Sequence, residues 1–200
     1  MKKDDWDRRY AGTDLVWSAE PNRFLVEEVA SLSPGRALDL ATGEGRNAVW
    51  LAERGWIVDA VDFSGVALDK ARRLAAARGV ESTWIEADVE QYPIAKNEYG
   101  LVILFYLHLP WERMQGVLHR VAAAVAPQGT FLLVGHDRTN LDRGHGGPKS
   151  ADVLYTPEQV ARELPGLQIE EAARRDRPVE TDGGVVSAID CLVRATRPLA

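Results

Sequence analysis

One cysteine, Cys191, stands among 200 residues, which excludes an internal disulfide and any cysteine-rich metal centre. Long apolar runs are missing as well. The longest, residues 101–107, is far too short to span a bilayer. The first ten residues are charged throughout and lack the apolar core of a secretory signal. A cytoplasmic protein with no membrane partner is the expectation. Positive charge is in deficit too, with 24 Lys and Arg against 30 Asp and Glu and a net charge of −6. Proteins that grip nucleic acid draw most of their affinity from basic contacts to phosphate. The local clusters, Arg72 with Arg73 and Arg174 with Arg175 and Arg177, read more readily as solvated helix and strand ends. Nucleic acid is therefore disfavoured as a partner.

What is present is an ordinary globular composition, 46% hydrophobic and 27% charged, in a length that suits one α/β domain and leaves little room for a second. Residues 1–33 read as a helical cap, amphipathic around Phe24, Leu25, Val29 and Leu32, with Pro21 near its first turn. A rhythm then begins. Apolar runs at 37–41, 57–61, 83–87, 101–105 and 130–134 alternate with helical patterns beginning near Ala48, at Ala67 and at Trp111. The third of these helices runs to about Ala126 and ends at Pro127-Gln128-Gly129. Such alternation implies right-handed βαβ units and a parallel sheet covered on both faces. After a helix over 157–164, β-like runs at 167–172 and 185–195 flank the turn signal Asp182-Gly183-Gly184, which predicts a hairpin. The expected fold is a doubly wound, mainly parallel sheet of seven strands with a C-terminal antiparallel hairpin. Within one domain over 1–200, the core is 36–136, a loop of 138–155 offers itself as a lid, and 156–200 supply the last helix and the hairpin.

In open α/β sheets a ligand binds beyond the carboxyl ends of the strands, where strand order reverses. Gly43 and Gly45, directly after the first strand, would let backbone approach a ligand, and the next helix offers free N–H groups. Asp62 ends the second strand, where a carboxylate can accept ribose hydroxyls. Gly43-Glu44-Gly45-Arg46-Asn47-Ala48 formally fits a dinucleotide fingerprint. Charge separates the candidates. Asp39 and Glu44, read as unpaired carboxylates, would repel a pyrophosphate and welcome an ammonium and a sulfonium. S-adenosylmethionine carries both, and Arg46 could receive its carboxylate. NAD remains the alternative on the same turn, as does a non-catalytic cofactor-binding module.

Residues 38–47 (Leu-Asp-Leu-Ala-Thr-Gly-Glu-Gly-Arg-Asn) resemble the first motif of class I S-adenosylmethionine-dependent methyltransferases. The Gly-Glu-Gly-Arg-Asn form is similar to the tellurite-resistance and thiopurine methyltransferase-like branch. Residues 60–64, 86–89 and 125–129 agree, so the resemblance covers about 36–136 well. Thr42 departs where that branch often has cysteine, and Gln128 departs where glycine is usual. The resemblance implies a Rossmann-like methyltransferase fold. It also implies that Asp39, Ala41, Gly43 and Gly45 surround the methionine part of the cofactor. By the same resemblance Asp62 holds the ribose, Phe63 packs on adenine, Asp88 accepts its amino group, and the Val89 backbone meets the ring. Phe105, ending the fourth strand, would offer carbonyls to the ligand's amino group.

Methyl transfer needs alignment above all, because the donor is already activated. The acceptor is expected to be a small molecule, by elimination. The fourth strand ends without the Asn/Asp-Pro-Pro-aromatic motif of amino-group methylation, and no Pro-Cys nucleophile is present. His108 and His136 follow the fourth and fifth strands and have the right chemistry for a base. Asp137 would either orient an imidazole or cap its loop. His145 has no metal partners at regular spacing, and no metal site is expected. Among the N-terminal aromatics Trp6, Tyr10 and Trp17, Trp17 is the one expected to cover the donor cation.

Overall fold

Leucine- and valine-rich runs of four to seven residues are too short for core helices. In the computed structural model, which describes residues 3–199, they build a single sheet with helices on both faces. Its strands are β1 (Arg36–Leu40), β2 (Ile57–Asp62), β3 (Thr83–Glu86), β4 (Tyr99–Phe105), β5 (Val125–His136), β6 (Gln168–Thr181) and β7 (Gly184–Thr196). Their order across the sheet is β3-β2-β1-β4-β5-β7-β6. The first five are parallel, and β7 inserts antiparallel between β5 and β6. Order reverses between β1 and β4, so the carboxyl ends of those neighbours open the crevice that such sheets use for ligands.

The helices are α1 (Lys3–Tyr10), α2 (Arg23–Val29), α3 (Arg46–Glu53), α4 (Gly65–Arg78), α5 (Trp111–Ala124), α6 (Asn140–Arg143) and α7 (Pro157–Arg162). Their ends follow local chemistry. Ser64 caps α4 by accepting from the Ala67 amide at 3.2 Å, and Gly79 closes it in the left-handed region. Thr156 and Gln159 form a reciprocal capping box on α7. Side chains of β4 alternate between two cores, Val102 and Leu104 facing α5, and Leu101, Ile103 and Phe105 facing α2 and α3. Burial on both faces explains its unbroken apolar run.

Several boundaries differ from the sequence reading. The N-terminal cap is two short helices rather than one region running to Ser33. Asn22 caps the second by accepting from the Phe24 amide, so Pro21 lies just outside it. The helix before β5 stops at Ala124, and the chain turns extended at Val125. Pro127 is tolerated there because pairing of β4 with β5 is interrupted between Tyr99 and Leu101. Gln128 sits at φ 63°, a conformation that glycine adopts without strain. Both hairpin strands are longer than predicted. Residues 138–155 are not structureless: α6, a 3-10 turn (Ala151–Val153) and a bridge between Asp137 and Tyr155 order them. Among the described residues no helix is long and apolar enough to cross a membrane.

Candidate functional site

The turn after β1 is built from left-handed backbone. Ala41 (φ 59°), Gly43 (φ 56°) and Gly45 (φ 80°) all lie there, and the Thr42 amide ties the turn to the Val61 carbonyl at 3.0 Å. The two glycines do different work. A Cβ on Gly43 would meet the Tyr10 hydroxyl at 3.2 Å, so this residue faces the crevice. A Cβ on Gly45 would lie 2.6 Å from the Ala71 Cβ and 2.9 Å from the Trp84 ring. Gly45 is thus required for α3 to pack on α4 and β3.

Three carboxylates surround the turn. Asp39 is buried and accepts from the Thr42 hydroxyl at 2.6 Å. Burial, reinforced by nearby Asp62, pushes its carboxyl up to about 7. Asp62 is also buried, and its oxygens accept separately from the Gly43 amide at 2.8 Å and the Ser64 amide at 2.9 Å. Burial raises it too, against those two bonds. Glu44 corrects the sequence reading. It is not unpaired: Lys70 Nζ lies 3.0 Å away, both side chains are nearly inaccessible, and the Val16 and Trp17 amides donate to its two oxygens. Glu44 anchors the N-terminal segment to the turn and supplies no free negative charge to a ligand. Arg46 is the converse. Its side chain is half-buried beside Tyr106, Arg177, Asp39 and Glu44, yet among the described residues it makes no hydrogen bond or ion pair. Burial pulls its guanidinium below the ordinary value.

On the β2–β3 side, Phe63 is half-buried and belongs to neither core cluster. Asp88 opens a short turn, accepting from the Glu90 amide at 2.9 Å. Val89 is buried, and its carbonyl accepts from Arg120. Phe105 is buried in the α2–α3 core. The aromatic on the turn itself is Tyr10 rather than Trp17. Tyr10 is 5% exposed and Trp17 43%, with Arg9 over the Trp17 ring. Both were visible as N-terminal aromatics; only the packing of α1 decides between them.

Beyond β4 and β5 a polar cluster gathers. Tyr106 (φ 54°) turns its hydroxyl to donate to Asp190 Oδ2 at 2.9 Å, and Asn22 donates to that hydroxyl at 3.3 Å. Arg177 Nε donates to the same carboxylate oxygen at 2.6 Å. His136 Nδ1 lies 3.3 Å from Asp190 Oδ1. His108 stacks on His136 with ring centroids 5.6 Å apart, and its Nδ1 lies 3.2 Å from the Val153 carbonyl. Burial, with His136 opposite, pushes His108 down to about 4. Asp137 caps its loop, accepting from the Thr139 amide and hydroxyl and from Arg174. The carboxylate beside an imidazole is Asp190, which no local motif singles out because it lies on β7. Among the described residues no group of three His, Cys, Asp or Glu is arranged for a metal ion.

Residues 37–129 match the family model described as a methyltransferase domain. A demethylmenaquinone methyltransferase of Thermus thermophilus is 36% identical over 128 residues, covering 62% of this chain and 55% of that protein. The N-methyltransferase NodS of Bradyrhizobium japonicum, solved with S-adenosylhomocysteine, is similar with TM-score 0.74 at 17% identity over 98% of each chain. TehB of Haemophilus influenzae is similar with TM-score 0.74 at 18% identity, covering 98% of this chain and 67% of that one. The chain spans about half the length of the curated relatives it matches. Residues 37–129 are therefore similar to a methyltransferase domain, and the chain has the Rossmann-like fold of those solved methyltransferase structures.

Proposed function

We propose that the protein transfers a methyl group from S-adenosylmethionine to a small-molecule nucleophile by direct in-line displacement. The observation that carries this reading is the cradle around Gly43, where Asp39 and Asp62 meet an Arg46 that makes no side-chain hydrogen bond among the described residues, at the ends of β1 and β2. Each oxygen of Asp62 accepts one backbone N–H and keeps a lone pair for a ribose hydroxyl. Arg46 suits the carboxylate of the methionine part, and Asp39 with the Ala41–Gly43 backbone suits its ammonium. Phe63 offers a face to adenine, with Asp88 and the Val89 backbone at its edge. Phe105 ends the strand that borders the amino group. Trp17 contributes by way of the segment that holds Tyr10 on the turn. When bound, S-adenosylmethionine supplies a methyl group already activated on a sulfonium, so the chain's work is orientation and exclusion of water. The acceptor would then face Tyr106, His108 and His136.

The tellurite-resistance and thiopurine-like branch is favoured by the 43–47 run and by one structural neighbour. Relatives named for other acceptors stand beside it, so the acceptor is better argued from the site than from the branch. With Glu44 neutralised by Lys70, the electrostatic case against NAD rests on Asp39. Calorimetric titration with S-adenosylmethionine, S-adenosylhomocysteine and NAD in parallel tests the proposal. Binding of the first two and not of NAD is expected. Binding of NAD alone would overturn it, and binding of S-adenosylmethionine without turnover across small thiols, phenols and acids would favour the non-catalytic module.

A further inference from the structure

The acceptor side of the crevice has an uneven pair of imidazoles. His108 leans on a neutral carbonyl, Val153, and its burial holds it as a neutral acceptor of hydrogen bonds. His136 leans on a carboxylate, 3.3 Å away and fully buried on β7. Burial alone would raise the carboxyl of Asp190, but the His136 imidazole beside it and hydrogen bonds from Arg177 and Tyr106 hold it below its ordinary value. An ionised carboxylate facing Nδ1 places the proton there and leaves the Nε2 lone pair for a ligand, a tautomer assigned from its partners. The loop of 138–155 closes over that ring. A Cβ on Gly147 would come within 2.6 Å of His136 Cδ2, so only glycine lets the backbone lie so near.

We propose, resting on the methyl-transfer reading, that the acceptor is a neutral hydroxyl compound whose proton is taken by His136 Nε2, with Asp190 as the positioning residue. The surrounding charges select this class. An ammonium acceptor would need a free carboxylate, and Asp190 already serves Tyr106, Arg177 and His136. Arg177 and Arg46 would repel it besides. A carboxylate acceptor would meet two imidazole lone pairs and find Arg177 occupied. A neutral hydroxyl carries no charge for those guanidiniums to repel and donates its single proton to His136 Nε2. As its oxygen takes the methyl group, the electron pair of the broken C–S bond stays on sulfur. The hydroxyl proton passes to His136 Nε2, and the imidazolium later returns it to solvent.

Nitrogen-15 NMR of the histidine-labelled full chain tests the pair without any acceptor. The expected wild-type signature is His136 as the Nδ1–H tautomer, assigned by loss of its signals in His136→Gln. Asp190→Asn should shift it toward Nε2–H while His108 stays unchanged. A purely structural Asp190 would leave the tautomer alone. Wild-type His136 protonated on Nε2 overturns the proposal even if Asp190→Asn fails to fold, and so does a tautomer indifferent to that substitution. In parallel, methyl-labelled S-adenosylmethionine is offered with phenols, alcohols, amines, thiols and carboxylic acids. Transfer to hydroxyl compounds is expected, falling on the order of 10²–10⁴-fold in kcat for Asp190→Asn with S-adenosylhomocysteine affinity retained. Products from the other classes only, or from none, overturn the hydroxyl assignment. Failure of the wild type to bind S-adenosylhomocysteine would instead sink the methyl-transfer reading itself.

Discussion

At the scale of single residues, Asp39 makes the most direct claim. Its carboxyl is raised from an ordinary 3.8 to about 7 by burial. The folded protein therefore holds a proton there that the unfolded chain does not. That contribution to stability is complete below about pH 4 and is lost as pH rises through about 7. An ammonium placed beside Asp39 reverses the preference and expels the proton. Affinity for S-adenosylhomocysteine should then climb with pH, by up to about tenfold per unit below pH 7, and level off above it. Calorimetry in two buffers of different ionisation heat reads the affinity and the released proton together. A flat profile in the wild type, or one that Asp39→Asn leaves unchanged, would remove Asp39 from the ammonium site. Asp39, one residue short of the end of β1, and Asp62, at the end of β2, could be picked out as candidates because they flank the glycine turn at the carboxyl ends of their strands. Glu44 was misread because its partner, Lys70, is 26 positions away and sequence spacing carries no sign of that pair.

At the scale of elements, the turn between β1 and α3 is held from behind. Glu44 and Lys70 form a buried pair at 3.0 Å, with side chains 4% and 3% exposed. Lys70 also donates to the Asp14 carbonyl, and Glu44 takes the Val16 and Trp17 amides. Removing one partner of such a pair leaves a buried charge uncompensated, which typically costs about 3–5 kcal/mol. Lys70→Met should lower the guanidinium midpoint accordingly, and adding Glu44→Gln should recover much of the loss. A single substitution costing under about 1 kcal/mol would mean that water reaches Glu44 freely. The alternation of helix and strand was readable because each run has its own period. Boundaries such as Ala124 and Val125 were not. Alanine-rich sequence suits a helix, and only the pairing of Val125 with Tyr99 shows that the chain has already turned extended there. The length of β6 was hidden for a similar reason: its exposed and half-buried positions are mostly charged or small, which looks like loop until the partner strand is known.

At the scale of the whole molecule, the crevice is roofed by a segment that is pinned at points rather than packed along its length. Ser64 donates to Asp7 at 2.5 Å, Lys3 pairs with Glu86 at 3.3 Å, and Tyr10 alone of α1 is buried, over Gly43. Pairs as exposed as Lys3 and Glu86 contribute at most about 1 kcal/mol, so this roof belongs to the parts of the fold that open most cheaply. Opening is also what a ligand needs, since Tyr10 lies on the face of the turn where the methionine part would rest. Cover of this kind slows departure more than it strengthens first contact. Removing residues 1–12 should therefore raise the dissociation rate of S-adenosylhomocysteine on the order of tenfold or more. Thermal stability should change little, because the two cores beneath keep every strand. Stopped-flow displacement, followed by the fluorescence of the six tryptophans less the one removed with α1, measures that rate. An unchanged dissociation rate would mean that α1 rests on the crevice without gating it. A steep loss of thermal stability would mean that α1 is part of the core and that the ligand enters from the side of the 138–155 loop.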